Sequence, residues 1–250
     1  MEKIKFDFTN KTALITGGAQ GFGLDIAKRF LKSGAKVIIW DIDSKMIKKS
    51  SKDLNNPNLS SSVVDVSNYQ EVENCVNKIL KNSSIDILIN NAGININHNI
   101  VSLDYKILNK ILTVNLESAI QIASLVSKFM IKKKSGKIIN IGSIWSEISK
   151  SKRSVYSASK AGLVGATRGI AIDLAKYNIL VNSISPGFVN TSLTKKNLKK
   201  EEIKNIKKNI PLQKFANVDD IANYVIFLSS DFNTYMSGQN ILIDGGFSIN

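Results

Sequence analysis

Thr12-Ala13-Leu14-Ile15-Thr16-Gly17-Gly18-Ala19-Gln20-Gly21-Phe22-Gly23 decides the fold of this chain. A short apolar strand runs into glycines spaced Gly-x3-Gly-x-Gly, and an amphipathic pattern follows from about Phe22 to Ser33 before Gly34 stops it. A strand, a tight turn and a helix N-terminus together present bare backbone amides and a helix dipole, where a dinucleotide pyrophosphate can sit. Gly17 permits the turn, Gly21 lets a cofactor approach, Gly23 lets helix and strand pack, and Gln20 and Phe22 complete the candidate cofactor-binding turn. The spacing differs from the commoner Gly-x-Gly-x2-Gly, and glycine clusters also mark ordinary turns. Its place directly after the first strand gives it weight.

Outward from this stretch, apolar runs alternate with helical patterns to the end of the chain. Val37–Trp40, Ser62–Val66, Ile85–Asn90, Lys137–Gly142, Ile179–Ile184 and Asn240–Asp244 read as six further strands. The expected fold class is α/β: a single-domain, doubly wound Rossmann fold over residues 1–250, with a seven-stranded parallel sheet flanked by helices. No repeat, linker or domain boundary interrupts the pattern. A Lys-rich stretch at about 190–210 is the one candidate insertion.

Composition narrows the classes. The chain has 250 residues, 43% of them hydrophobic, enough for a large core. No apolar run reaches the roughly 18 residues of a membrane span, and no apolar leader opens the chain, so no membrane partner is expected. The lone Cys75 cannot form an intramolecular disulfide, which suits a reducing, cytoplasmic setting. The net charge is +14, but almost all of it is Lys, spread over several helix surfaces without interleaved aromatics. A solvated basic surface therefore explains it better than a nucleic-acid partner.

Chemistry enters at Asp41, Ser143, Tyr156 and Lys160. Asp41 ends the second strand 20 residues after Gly21, where a carboxylate can accept hydrogen bonds from an adenosine ribose and repel a 2′-phosphate. Gln20 places no cation in the turn, so NAD is expected over NADP. Tyr156 and Lys160 are four apart and share a helix face. An ammonium beside a phenol is expected to lower the phenol pKa from about 10, making an acid/base usable near neutral pH. Ser143 closes a strand and can offer a hydroxyl to a substrate oxygen. Together these residues predict a nicotinamide-dependent oxidoreductase.

Thr16-Gly17-x3-Gly21-x-Gly23, Asn90-Asn91-Ala92-Gly93, Asn115, Ser143, Tyr156-x3-Lys160, Pro186-Gly187 and Asp244-Gly245-Gly246 occur in that order. In these motifs, over essentially its whole length, the chain resembles the short-chain dehydrogenase/reductases. The resemblance implies that Tyr156 exchanges the substrate proton, while Lys160 tunes it and bonds the nicotinamide ribose. It further implies that Ser143 polarises the substrate oxygen and that Asn115 holds a water relaying protons from Lys160. On the cofactor side it implies adenine contacts from Asp65 and Val66 and adenosine contacts from Asn91, Ala92 and Gly93. Pro186, Gly187, Val189 and Thr191 would line the nicotinamide. A homotetramer or homodimer built on the helix carrying Tyr156 and on the last strand is also implied.

Each residue alone has an ordinary explanation: a strand-end hydroxyl, a surface aromatic, a solvated lysine, a capping amide. Ordered together beside a nucleotide turn, they favour an NAD-dependent oxidoreductase interconverting a secondary alcohol and a ketone, with a small-molecule substrate of sugar, polyol or hydroxy-acid type. One alternative is a 3-oxoacyl-carrier-protein reductase, a group that mostly prefers NADPH, which the tail from Phe227 to Gly246 resembles and the basic 190–210 lid suits. The other is a catalytically silent NAD-binding sensor, against which the intact Tyr and Lys count. His98 stands in a polar loop with no partner histidine or Cys-rich cluster, so no metal site is expected. Trp145 and Glu147 either face the substrate or pack.

Overall fold

The computed structural model describes residues 5–190 and 200–250. Seven parallel strands form one sheet: β1 (Thr12–Thr16), β2 (Lys36–Asp41), β3 (Leu59–Val63), β4 (Ile87–Asn90), β5 (Gly136–Ile141), β6 (Ile179–Pro186) and β7 (Asn240–Ile243). Their order across the sheet is β3-β2-β1-β4-β5-β6-β7. The chain winds outward from β1 in one direction, then returns and winds the other way from β4. Between the carboxyl ends of β1 and β4 the direction reverses, and such a switch point opens a crevice for ligand.

Two-residue periodicity sends alternate strand side chains into two cores. Ala13, Ile15, Val37, Ile39, Ile87, Ile89, Ile139 and Ile141 pack beneath α1 (Gly21–Lys32) and a late helix at Val218–Ser229. Leu14, Trp40, Leu88, Ile138 and Val181 pack on the other face. That face is covered by α3 (Tyr69–Asn82), α5 (Ser118–Lys133) and α6 (Ser154–Ala175). Because both faces are covered, the central strands read as unbroken apolar runs rather than alternating ones. In α1, Ile26, Ala27, Phe30 and Leu31 supply the buried stripe at helical spacing. Two other helices carry side-chain caps: Asp43 accepts from the Lys45 and Met46 amides to start α2 (Ser44–Leu54), and Asn68 accepts from the Glu71 amide to start α3. Cys75 is half-buried against the second core, and burial pushes its thiol pKa up.

One strand is displaced from its expected place. The Ser62–Val66 reading is corrected to Leu59–Val63, because β2 pairs Val37 through Asp41 with those five residues and then ends. The Val64 amide still donates to the Asp41 carbonyl, and Val64 and Val66 are buried beyond the paired residues. Apolar content marked burial there, while the length of the neighbouring strand set the register. None of the described helices is long and apolar enough to cross a membrane.

Three helices complete the frame. α4 (Tyr105–Leu112) passes through a π-helical turn at Thr113–Glu117 into α5, and α7 (Lys200–Lys208) precedes α8 (Val218–Ser229). The π turn carries Asn115 and rotates it out of the α-helical register, a device that often marks functional positions.

Candidate active site

The glycine turn is built as the spacing requires. Gly17 and Gly21 hold φ of +61° and +53°, the left-handed region that glycine enters without a Cβ penalty. A Cβ on Gly21 would meet nothing within 4 Å, so its open side is the cleft itself. Gly23 is the opposite case: a Cβ there would overlap the Gly17 carbonyl and lie 2.6 Å from Asn91 Nδ2. Gln20 caps α1 without a side-chain bond, and no acidic residue lies in the first turn. The leading amides and the positive end of the helix dipole are left for an anion. Gly23→Ala is expected to destabilise the protein by about 1–3 kcal/mol, the usual cost of forcing an extra carbon into a packed site. It should weaken dinucleotide binding at least tenfold; a melting temperature and Kd equal to wild type would refute this packing role.

A cleft of about 760 Å³ opens over this turn. Gly17, Gln20, Gly21, Phe22, Gly23, Asp41, Asp65, Val66, Asn91, Ala92 and Gly93 line it, as the sequence suggested. Ile42, Val64, Ser67, Ile94, Lys110 and Val114 also line it and were not singled out. Ile42 and Val64 merely continue the runs after Asp41 and before Asp65, and nothing distinguishes Lys110 from the other lysines. The Asp41 carboxylate is buried and accepts from the Ala19 amide at 3.2 Å and the Asp43 amide at 3.1 Å. Backbone donors thus hold a negative charge at the end of β2. Asn91 staples two loops: its Nδ2 donates to the carbonyls of Thr16 and Gly17 at 2.9 and 3.0 Å, and its amide donates to Thr16 Oγ1. Asp65 accepts from the Ser67 amide and hydroxyl, shaping the rim.

The catalytic candidates gather around the tip of β5 and the first turns of α6. Ser143, at the tip of β5, is buried and accepts from the Trp145 amide at 3.3 Å. Lys160 is buried, donates to the Ile141 carbonyl at 2.7 Å, and places Nζ 6.0 Å from the centroid of the Tyr156 ring. A Cβ on Gly93 would lie 3.6 Å from Lys160 Nζ and 3.4 Å from Asn115 Oδ1, so the cleft loop, the π turn and α6 converge there. Asn115 is itself engaged: Oδ1 accepts from the Ile94 amide at 2.8 Å, while Nδ2 donates to the Ile94 carbonyl and to Ser159 Oγ. Its side chain clamps the loop after β4 to α6.

The electrostatics correct one expectation. Burial raises the Tyr156 phenol above its ordinary value, with the Ser143 hydroxyl and the Arg153 charge opposing it. Burial also depresses Lys160 to about 8, and its ammonium donates to the Ile141 carbonyl.

Pro186, Gly187 and Val189 lie at the carboxyl end of β6 and beyond it, and do not line the 760 Å³ cleft. Gly187 approaches Asp244 closely enough that a Cβ would sit 2.7 Å from the Asp244 Cβ, joining the ends of β6 and β7. Thr191 and the lid lysines Lys195, Lys196 and Lys199 lie outside the described residues.

Beside Ser143 stands an aromatic wall that sequence reading left open. Trp145 packs edge-on against Phe188 and Phe247, with ring centroids 6.3 and 6.5 Å away, and Phe188 stacks on Phe215 at 5.6 Å. Glu147 accepts from Asn240 Nδ2 at 2.9 Å. His98 stands in the loop after β4, as read, and is buried there. Its Nε2 lies 3.0 Å from Ser154 Oγ at the start of α6, and Nδ1 lies 3.1 Å from the Ile96 carbonyl. No local signal could separate it from a solvated loop histidine.

Comparison with known proteins agrees with this geometry. A family model described as enoyl-(acyl carrier protein) reductase, of the short-chain type, matches residues 17–248. The chain belongs to the short-chain dehydrogenase/reductase family. Among its relatives, the 3-oxoacyl-[acyl-carrier-protein] reductase FabG of Chlamydia pneumoniae is 36% identical over 244 residues, covering 95% of this chain and 97% of that protein. An NAD-dependent glycerol dehydrogenase of Listeria innocua is 34% identical over 245 residues, covering 98% and 96%. A crystal structure provisionally assigned as a gluconate dehydrogenase from Agrobacterium tumefaciens superposes with a TM-score of 0.93 at 28% identity, covering 98% and 99%. As a short-chain dehydrogenase/reductase, the protein is an oxidoreductase acting on CH–OH groups and using a nicotinamide cofactor.

Proposed function

We propose that this short-chain dehydrogenase/reductase uses NAD to interconvert a secondary alcohol and a ketone on a small sugar, polyol or hydroxy acid. One observation carries the cofactor choice: the buried Asp41 carboxylate, fixed by two backbone amides at the rim of the cleft. A 2′-phosphate brought there would meet a like charge that cannot swing away, whereas a ribose diol can donate to it. When bound, the nicotinamide accepts or supplies the hydride. Ser143 holds the substrate oxygen, Tyr156 gives or takes its proton, and Lys160 supplies a nearby ammonium that sheds its proton easily. Asn115 keeps the loop and α6 in register around them, and a water beside it would relay the proton outward. Pro186, Gly187, Val189 and Thr191 would contact the nicotinamide.

Asp41→Ala is expected to shift the ratio of kcat/KM for NAD over NADP toward NADP by at least about tenfold, equivalent to roughly 1.4 kcal/mol. Initial rates with both cofactors test this, and an unchanged ratio sinks the Asp41 argument. A second reading, reduction of a 3-oxoacyl thioester with NADPH, is favoured by the similarity to FabG proteins. Activity confined to NADPH and an acetoacetyl thioester would establish it; NAD binding without turnover on any substrate would leave a silent sensor.

The reading extends to assembly and setting. Gly165 and Gly169 on α6 face open space beyond 4 Å, and Ile120, Ile172 and Tyr105 are exposed. Tyr235 and Ile249, near β7, are almost fully exposed. These two surfaces suit a homodimer through α5 and α6 and a homotetramer completed along β7. We read residues 1–250 as one cofactor-binding domain in a cytoplasmic enzyme, with the 190–210 segment as its substrate lid.

A further inference from the structure

We propose that Arg153 receives a carboxylate of the substrate next to the reacting carbon, which selects hydroxy and oxo acids over neutral alcohols and ketones. The inference rests on the dehydrogenase reading above and specifies its substrate class.

Arg153 caps α6 three residues before Tyr156, a separation that brings side chains together on the first turn. It is half-buried, and its Nε is fully covered with no hydrogen-bond partner among the described residues. None of the ion pairs among the described residues includes it. A buried donor left unpaired costs about 1–3 kcal/mol, and native structures rarely retain one without use. The charges around it do not answer the need. Lys150 is a second cation nearby, and the Arg153 charge makes it harder for Lys150 to hold its proton. The Glu147 carboxylate is engaged with Asn240. Glu202 attracts Lys150, whereas the one partner that favours the Arg153 charge is the Tyr156 phenol. Burial is the main influence on Arg153 and acts against its charge.

The surroundings give the ligand a shape. Lys150 lies 5.3 Å above the Trp145 ring, which packs against Phe188 and Phe247. An apolar wall beside a planar guanidinium suits a short carbon chain ending in a planar anion, and a guanidinium binds carboxylate through parallel bonds that an amide cannot reciprocate. With Ser143 and Tyr156 on the hydroxyl, the carboxylate would lie within a few bonds of the carbon that exchanges hydride.

The test uses the full chain with NAD bound, titrated with butyrate and with butyramide and read by tryptophan fluorescence. Wild type is expected to bind butyrate at least tenfold more tightly, Arg153→Gln to lose that preference, and Arg153→Lys to recover part of it. Equal affinity for the two probes in wild type, no binding of butyrate, or a preference that survives Arg153→Gln overturns the proposal. Tyr156→Phe should keep the preference while losing turnover. If preference and turnover both persist in Tyr156→Phe, the acid/base assignment falls and the carboxylate site stands.

Discussion

Tyr156→Phe is expected to lower kcat by about 10²–10⁴-fold, the range that positioned proton transfer contributes, while leaving NAD affinity within about threefold. The substitution removes one hydroxyl and keeps the ring, so α6 should retain its packing. Ser143 would still hold the substrate oxygen, but no group of suitable acidity would face it. Burial raises the phenol pKa, so oxidation, which needs the phenolate, should be favoured by alkaline pH in the wild-type protein. Steady-state kinetics with a dinucleotide binding assay decide the matter. Turnover near the wild-type value would remove Tyr156 from the acid/base role.

Lys160→Met carries the second large expectation, and its two effects have opposite signs. Turnover should fall by two orders of magnitude or more, because the site loses its ammonium. Stability should rise at neutral pH. Lys160 is buried, and its pKa falls from 10.5 to about 8 in the folded protein, so charging it there costs roughly 3 kcal/mol. Its bond to the Ile141 carbonyl, worth about 1 kcal/mol, offsets part of the gain from removing it. The net expectation at pH 7 is therefore about 1–2 kcal/mol of added stability.

The pH window follows from the direction of the shift. Between about 8 and 10.5 the unfolded chain holds more protons at this residue than the folded one, so this contribution to wild-type stability improves as pH rises. The penalty is complete below about 8 and gone above 10.5. The advantage of the variant should shrink accordingly on moving from pH 7 to pH 10. Denaturant unfolding at both values measures it; a variant less stable than wild type at pH 7, with the same deficit at pH 10, would contradict the burial cost. Stability given up at a working group is a recurrent feature of active sites.

These residues also mark how far the sequence could be read. The glycine turn, Asp41 and the Tyr156-x3-Lys160 pair are local patterns, and the structure sets the pair next to Gly93, beside the cleft that the turn and Asp41 line. Ser143 was legible because a strand must end where a hydroxyl is offered. The identity of the Lys160 acceptor was not, since Ile141 is 19 residues away and its carbonyl is reached only after β5 and α6 pack. Burial of the phenol, which raises its pKa, is likewise a property of the packed fold. Arg153 is illegible for the same reason: the unpaired state of its Nε among the described residues is a property of the folded surroundings.

The third strand makes the point for the fold. Val63 to Val66 has the composition of a strand, yet its place in the sheet was decided by where β2 ends, opposite Val63. His98 reads as a loop residue, and what its loop position does not reveal is that it is a buried tie to Ser154, because the loop after β4 folds back on α6.

By itself the sequence determined the α/β winding, the dinucleotide turn and the order of the reacting groups, since each depends on residues a few positions apart and on side-chain periodicity. Only the tertiary structure decided the register of β3, the partners of Lys160 and Asn115, the aromatic wall and the solitary Arg153. Those depend on contacts between distant segments, and burial there changes what a side chain can do.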